Sequence, residues 1–202
     1  MKSAPTTILV TGFAPFPGAP VNPTETLMRR LPKRLGPHQQ DVVFEFRVLP
    51  TTWEARTSVT EKLRKTIKPD AIVHFGVDGT RKTMNVETRA INQAIRVRGD
   101  AFGRSPERPE LASGFERYRF STLPIGPIVT AARVSGVPTN TSMNAGTYLC
   151  NATLWDSIGS GIPSVFVHVP SLPKGRRDPR PSLPELENAA VSLLQELARR
   201  LR

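Results

Sequence analysis

Short apolar runs separated by longer amphipathic stretches make up most of this 202-residue chain. Residues 8–10, 71–75 and 164–169 are largely apolar, which is typical of strands buried on both faces. Val42 to Leu49 alternates apolar with polar residues and predicts a half-buried strand. A further strand is expected near residues 139–142.

Helical periodicity fills the intervals between these strands. Apolar residues recur every four positions within residues 53–67, and Pro23 opens another helix at the position where proline is favoured. Residues 122–134 indicate a passage from strand to helix, and residues 145–155 are expected to be helical. Leucines and alanines between 186 and 201 predict a long amphipathic C-terminal helix.

The alternation of strands and helices predicts an α/β fold in which helices cover both faces of a mostly parallel, mixed central sheet. Residues 92–121 interrupt it and are expected to form a long loop or paired short strands, whereas residues 173–183 predict a loop. We expect one domain over residues 1–202, with its functional crevice beyond the carboxyl ends of the strands.

Charge and composition narrow the functional classes. The formal net charge is +11, which would suit a nucleic-acid-binding protein. However, the arginines are dispersed and no aromatic residues are interleaved with them, so a solvated basic surface is favoured. The first apolar run is too short for a signal peptide or a membrane span, and a single free cysteine suits a reducing compartment, so we expect a cytoplasmic protein with no membrane partner.

Three residues on separate segments could form a thiol triad. Cys150 is the only cysteine, and it lies where a strand is expected to give way to a helix. A helix N-terminus there would favour the thiolate. His168 lies in the last predicted strand, and Glu87 lies in a polar segment upstream.

Each of these residues also has an ordinary structural explanation. A lone cysteine such as Cys150 is usually a small buried hydrophobe. A histidine in an apolar strand, such as His168 or His74, is more often structural than catalytic, and His38 falls in a polar loop. Glu87 could simply pair with Arg89 on the surface.

Six segments, in this order along the chain, resemble the pyroglutamyl peptidase I family of cysteine peptidases. They are TGFAPF (11–16), VNPT (21–24), Glu87 with AIN (90–92), STLP (121–124), AGTYLCN (145–151) and FVHVP (166–170). The resemblance runs from about residue 8 to the C-terminal helix. It implies a peptidase whose partners are N-terminally pyroglutamylated peptides, with homodimers or homotetramers common among relatives.

By the same resemblance Cys150 is the nucleophile, His168 the general base and acid, and Glu87 the carboxylate that holds the histidine. This chemistry proceeds through a thioester and needs no metal or organic cofactor. The pocket for the pyroglutamyl ring is implied to use Phe13 and Phe16. Further pocket positions are Asn22, Thr51, Tyr148 and Leu149.

Two segments depart from the family pattern. The family places an oxyanion-stabilising arginine in an Ala-Arg-Ile-Pro-Asp run, but residues 92–100 do not keep it, so Arg96 is the preferred equivalent and Arg98 the alternative. Val77 replaces a polar residue near the pocket. These departures leave open a non-catalytic homologue or one of altered specificity, beside the nucleic-acid-binding alternative that the charge allows.

Overall fold

The computed structural model describes residues 5–36 and 41–201, so His38 lies outside the described residues. The strands are β1 (Thr6–Phe13), β2 (Val42–Leu49), β3 (Ala71–Val77), β4 (Met84–Glu87), β5 (Arg89–Ile91), β6 (Tyr118–Phe120), β7 (Thr139–Ser142) and β8 (Ser164–Val169). The helices are α1 (Pro23–Leu35), α2 (Trp53–Ile67), α3 (Ile125–Val134), α4 (Leu149–Gly159) and α5 (Leu183–Arg200).

Six strands form one sheet in the order β2-β1-β3-β8-β4-β7. All neighbours are parallel except β4 and β8, which run antiparallel with Asn85 opposite His168 and Glu87 opposite Phe166. The carboxyl ends of β1, β3 and β8 therefore share one edge of the sheet. Strands β5 and β6 form a separate antiparallel pair.

Two hydrophobic layers lie on opposite faces of the sheet. On one face, α1, α3 and α5 bury leucines and isoleucines against the valines of β1, β3 and β8. On the other, α2 and α4 pack Leu63, Leu154 and Trp155 around Phe13 and Phe166. The predicted mixed α/β sheet with helices on both faces is confirmed.

Several element boundaries differ from the sequence-based expectations. Helix α4 begins at Leu149 and not at residue 145, because Gly146 adopts a left-handed conformation (φ 75°) that a helix cannot contain. Of the polar stretch 92–121, residues 92–117 form the long loop that was one of the two expectations, and only β6 at its end is a strand, paired with β5 just upstream of the stretch. The strand expected from residue 122 lies earlier, at β6.

Much of the basic surface is matched by acidic neighbours. Arg30 and Arg34 both approach Glu187 of α5, and Arg199 and Arg200 share Glu196. The arginines of these pairs are exposed, so each pair adds little stability, but each places a negative charge beside the positive ones. Across the two described ranges, the helices include none that is both long and apolar enough to cross a membrane.

Candidate active site

Cys150 is the second residue of α4, two positions after the cap residue Tyr148. The first backbone N–H groups of a helix have no partner within it, so those of Leu149, Cys150 and Asn151 are free to face an anion. The sulfur also lies close to β3, since a Cβ built on Gly76 would be 3.3 Å from Sγ. The nucleophile candidate thus stands where helix and sheet edge meet.

His168 lies at the carboxyl end of β8 and is 3% exposed. Its Nδ1 lies 2.9 Å from Oε1 of Glu87, which is wholly buried at the end of β4. The antiparallel pairing of β4 with β8 creates this contact between residues 81 positions apart. The alternative in which Glu87 pairs with Arg89 at the surface is therefore wrong: Arg89 donates to the carbonyl of Met143 and stacks on Tyr118.

The surroundings of His168 favour its protonated form. Burial alone would lower the pKa of the imidazole, but the charge and hydrogen bond of Cys150, followed by those of Glu87, raise it to about 9. At neutral pH the site consequently holds an imidazolium beside the sulfur.

A cavity of about 380 Å³ opens over Cys150 and His168. Every residue that the sequence assigned to a substrate pocket lies in its wall: Phe13, Phe16, Asn22, Thr51, Tyr148 and Leu149. Glu87 lies behind His168 and does not line it. A larger, shallower cavity of about 740 Å³ adjoins this one and shares Ile95 and Thr147 with it.

Aromatic rings form much of the cavity wall. Phe16 and Tyr148 approach with ring centroids 6.3 Å apart. The Tyr148 ring is also braced edge-on by Trp53. Phe13 is buried and packs on Phe166, 6.1 Å away. The cavity can therefore hold a flat, weakly polar group between apolar faces.

Hydrogen bonds fix the loop that carries these rings. The carbonyl of Ala14 accepts from Asn22 Nδ2 at 3.3 Å and from Thr51 Oγ1 at 2.7 Å. Asn22 also caps α1 by accepting from the backbone N–H of Thr24. Thus Asn22 and Thr51, besides lining the cavity, hold the loop between Phe13 and Phe16 in place.

Of the two candidate arginines, Arg98 lines the cavity and Arg96 does not. The guanidinium of Arg98 lies 4.7 Å from the Tyr148 ring and 5.6 Å from the Phe16 ring. Arg96 is exposed, and its carbonyl accepts from Ser105. The preference for Arg96 therefore does not fit the structure. The residue after Arg98 is held at the cavity, because the Tyr148 hydroxyl donates to the carbonyl of Gly99 (2.8 Å).

His74, the other histidine that lies in a strand, is held by hydrogen bonds within the core. His74 lies between Thr11 Oγ1 at 2.7 Å and Ser157 Oγ at 2.9 Å. Burial, followed by the charge of Arg64, lowers its pKa to about 3. His74 is therefore neutral and joins β1 to α4 through hydrogen bonds.

Sequence reasoning missed two buried residues that hold the site together. Asn151 follows Cys150 and bonds both backbone groups of Ile91 (2.8 Å each) and the carbonyl of Gln93 (3.0 Å). Asp100 accepts from the N–H of Trp53 at the start of α2 and from two N–H groups of its own loop. A polar residue inside an otherwise apolar helix start was the available signal for Asn151.

Comparison with known proteins gives one consistent result. The sequence model of the pyroglutamyl peptidase family matches residues 6–195. A pyrrolidone-carboxylate peptidase of Pyrococcus furiosus is 35% identical over 95% of this chain and 97% of its own length. Pyrrolidone-carboxylate peptidase 1 of Ralstonia nicotianae is 36% identical, covering 83% of this chain and 79% of its own length.

Solved structures agree with these relatives. A mutant pyrrolidone carboxyl peptidase from Pyrococcus furiosus superposes with a TM-score of 0.84 at 31% identity, covering 98% of this chain and all of the other. Pyroglutamyl peptidase I of Bacillus amyloliquefaciens superposes with a TM-score of 0.82 at 27% identity, covering 96% of this chain and 97% of the other. The fold is thus shared along nearly the whole chain.

Proposed function

This chain belongs to the pyroglutamyl peptidase family of cysteine-type peptidases, and from that membership we propose that it removes N-terminal pyroglutamyl residues from peptides. Cys150, His168 and Glu87 carry the reaction. The observation that supports this most is the 2.9 Å bond between buried Glu87 and His168, with Cys150 at a helix start acting on the same imidazole.

The first step is attack by the Cys150 sulfur on the carbonyl carbon of the pyroglutamyl residue. Glu87 holds Nδ1 of His168, so that Nε2 is the atom available to the sulfur and to the substrate. The C–S bond forms as the carbonyl π electrons move to oxygen. Because the imidazolium is already present, the proton for the leaving group is in place before attack.

The negative oxygen of the tetrahedral intermediate needs hydrogen-bond donors. The free N–H groups at the start of α4, including that of Cys150, are suitably located for this role. Arg98 contributes positive charge at the cavity wall, although its contacts with two aromatic rings suit a role in shaping the pocket equally well. Collapse of the intermediate breaks the C–N bond, and His168 gives its proton to the departing amine.

Hydrolysis of the thioester completes the cycle. His168, now neutral, takes a proton from water, and the resulting hydroxide attacks the acyl carbon and releases pyroglutamate. The sulfur leaves as thiolate and restores the pair with the imidazolium. The peptide product can depart through the adjoining cavity that shares Ile95 and Thr147 with the first.

Pyroglutamate suits the cavity because it is a flat, uncharged lactam. Phe13, Phe16 and Tyr148 offer apolar faces to such a ring, whereas an ordinary N-terminal residue would bring a charged ammonium into the same space. Val77 also lines the cavity, so the departure noted in the sequence makes the wall less polar.

A fluorogenic pyroglutamyl amide tests the proposal. We expect turnover by the wild type, with Cys150→Ala abolishing it and His168→Ala lowering kcat by at least about a thousandfold. The amide of proline, which lacks the ring carbonyl and therefore carries a charged secondary ammonium, is the control substrate and should be a poor one. Normal turnover by Cys150→Ala would refute the mechanism, and an inert wild type would favour the non-catalytic homologue.

A further inference from the structure

Arg81 joins the loop after β3 to the carboxylate of Glu87. Its Nη2 lies 3.0 Å from Glu87 Oε1, the same oxygen that lies 2.9 Å from His168 Nδ1. Nη2 also donates to the carbonyl of Asn144 at 2.8 Å, and the N–H of Asn144 donates to Glu87 Oε2 at 3.2 Å. Arg81, Asn144 and His168 thus surround a carboxylate that has no exposed surface.

Asp78 fixes Arg81 from the opposite side. Its Oδ2 accepts from Arg81 Nε at 2.8 Å, and its Oδ1 accepts from the N–H and the hydroxyl of Thr80 at 3.0 and 2.6 Å. The N–H of Asp78 donates to the carbonyl of Val169, which follows His168 on β8. Asp78 also lines the substrate cavity. The Asp78–Arg81 pair therefore connects the cavity wall to Glu87.

We propose that Arg81, held by Asp78, is a positioning residue that fixes Glu87 against His168, and that the opposite charges of Asp78 and Arg81 together set how firmly the imidazole keeps its proton. The inference rests on the proposed function for its consequence in turnover. Its physical basis is the chain of contacts from Asp78 through Arg81 and Glu87 to His168.

Positioning follows from the geometry of the carboxylate. A glutamate side chain can rotate, and His168 alone would fix only one of its oxygens. Arg81 adds an ion pair at 3.0 Å to that oxygen, while the N–H of Asn144 donates to the other. Removing one partner from a wholly buried ionic group leaves it undersatisfied and free to seek another geometry.

The opposite charges of Asp78 and Arg81 predict opposite effects on the protonation of His168. Within residues 5–36 and 41–201, the titratable and charged groups around His168 are Cys150 from α4, Glu87 from β4, and Asp78 with Arg81 from the loop after β3, with Arg98 elsewhere in the cavity wall. Arg81 opposes a positive imidazolium and Asp78 favours it. Although burial opposes it, hydrogen bonds from Thr80 and Arg81, together with the charge of His168, lower the pKa of Asp78, which is the reciprocal side of this coupling.

The test compares R81Q, R81K, D78N and the double variant D78N/R81Q with the wild type. One readout is the pH dependence of kcat/KM on pyroglutamyl aminomethylcoumarin. The other is the NMR titration of the imidazole Cε1–H of His168, which can be assigned among only three histidines. Circular dichroism establishes that each variant is folded.

For R81Q we expect kcat to fall about 10- to 100-fold with little change in KM, and the His168 titration to move to higher pH. For D78N the titration should move to lower pH. In the double variant the two shifts should largely cancel while kcat stays low. R81K keeps the charge but not the geometry, so its titration should stay near that of the wild type while kcat falls.

Titration shifts of the same sign in R81Q and D78N, or none in either, would overturn the inference, as would wild-type kcat in R81K. If R81Q does not fold, D78N and R81K still decide the question. An inert wild type would refute the proposed function alone, because the NMR titrations need no turnover and would continue to test the coupling.

Discussion

Replacing Gly76 with alanine should disturb both stability and catalysis, because this glycine lies between Cys150 and a buried ring. A methyl group at this position would be 2.4 Å from Cζ of Phe166 and 3.3 Å from Sγ of Cys150. Carbon atoms pack at about 3.5–4.0 Å, so the Phe166 ring must move by about 1 Å. That ring is wholly buried and its centroid is 4.8 Å from that of His168.

The magnitude follows from these contacts. Overpacking of this kind costs about 1–3 kcal/mol, which corresponds to a fall in Tm of roughly 2–12 °C for a chain of this size. Since the displaced ring pushes on His168, we expect kcat/KM on a pyroglutamyl amide to fall about 100-fold. Thermal unfolding followed by circular dichroism, together with the fluorogenic assay, measures both effects.

Two further variants make the result decisive. Gly126→Ala in α3 is the matched control, because a methyl group there meets nothing within 4 Å; it should leave activity unchanged and Tm equal or slightly higher. Phe166→Leu removes the outer ring atoms, so G76A/F166L should be more stable than the sum of the two single changes predicts. Wild-type Tm and activity in G76A would refute the reasoning, as would strict additivity in the double variant.

Three other changes test the site. The kcat/KM of the wild type should stay level toward pH 9 and fall above it, because His168 with its pKa near 9 must be protonated to release the amine; a decline beginning near pH 7 would contradict this. Glu87→Gln should lower kcat about 10³- to 10⁴-fold and move that decline to lower pH, since the Glu87 charge helps to raise the His168 pKa; an unmoved decline would count against the contact. Asn151→Ala removes three hydrogen bonds of a buried side chain and should lower the free energy of unfolding by about 3 kcal/mol, or Tm by roughly 6–12 °C. Asn188→Ala, on the exposed side of α5, is the control and should change Tm by less than about 2 °C.

The sequence predicted the central strands and helices well where apolar periodicity was strong. The bounds of β2, α2 and β8 agree with the expected ranges because each carries an unbroken pattern. The start of α4 was placed too early, since the apolar pattern does not reveal the left-handed turn at Gly146. β4 was not expected as a strand, because four residues are too few for a periodic signal.

The site was predicted only as far as residue type and segment order allowed. The segments at the ends of β1 and β3 and the segment before Cys150 were expected to meet at one sheet edge because each follows a predicted strand, whereas the pocket residues were assigned through the family resemblance. The contacts of Arg81 and Asp100 could not be predicted, because their partners are set by loop conformation. The choice between Arg96 and Arg98 depended on how one short loop turns, which the order of residues does not determine.

The antiparallel seam between β4 and β8 has a consequence for how the protein acquires activity. Strand β7 contacts the rest of the sheet only through β4, and β4 joins it only along β8. Because β4 and β7 pair only with each other and with β8, this edge pair can dock after the other four strands have assembled, and Glu87 then reaches His168 last. During refolding, regain of turnover should lag behind regain of helical circular dichroism, and the delay would time the docking of this pair of strands.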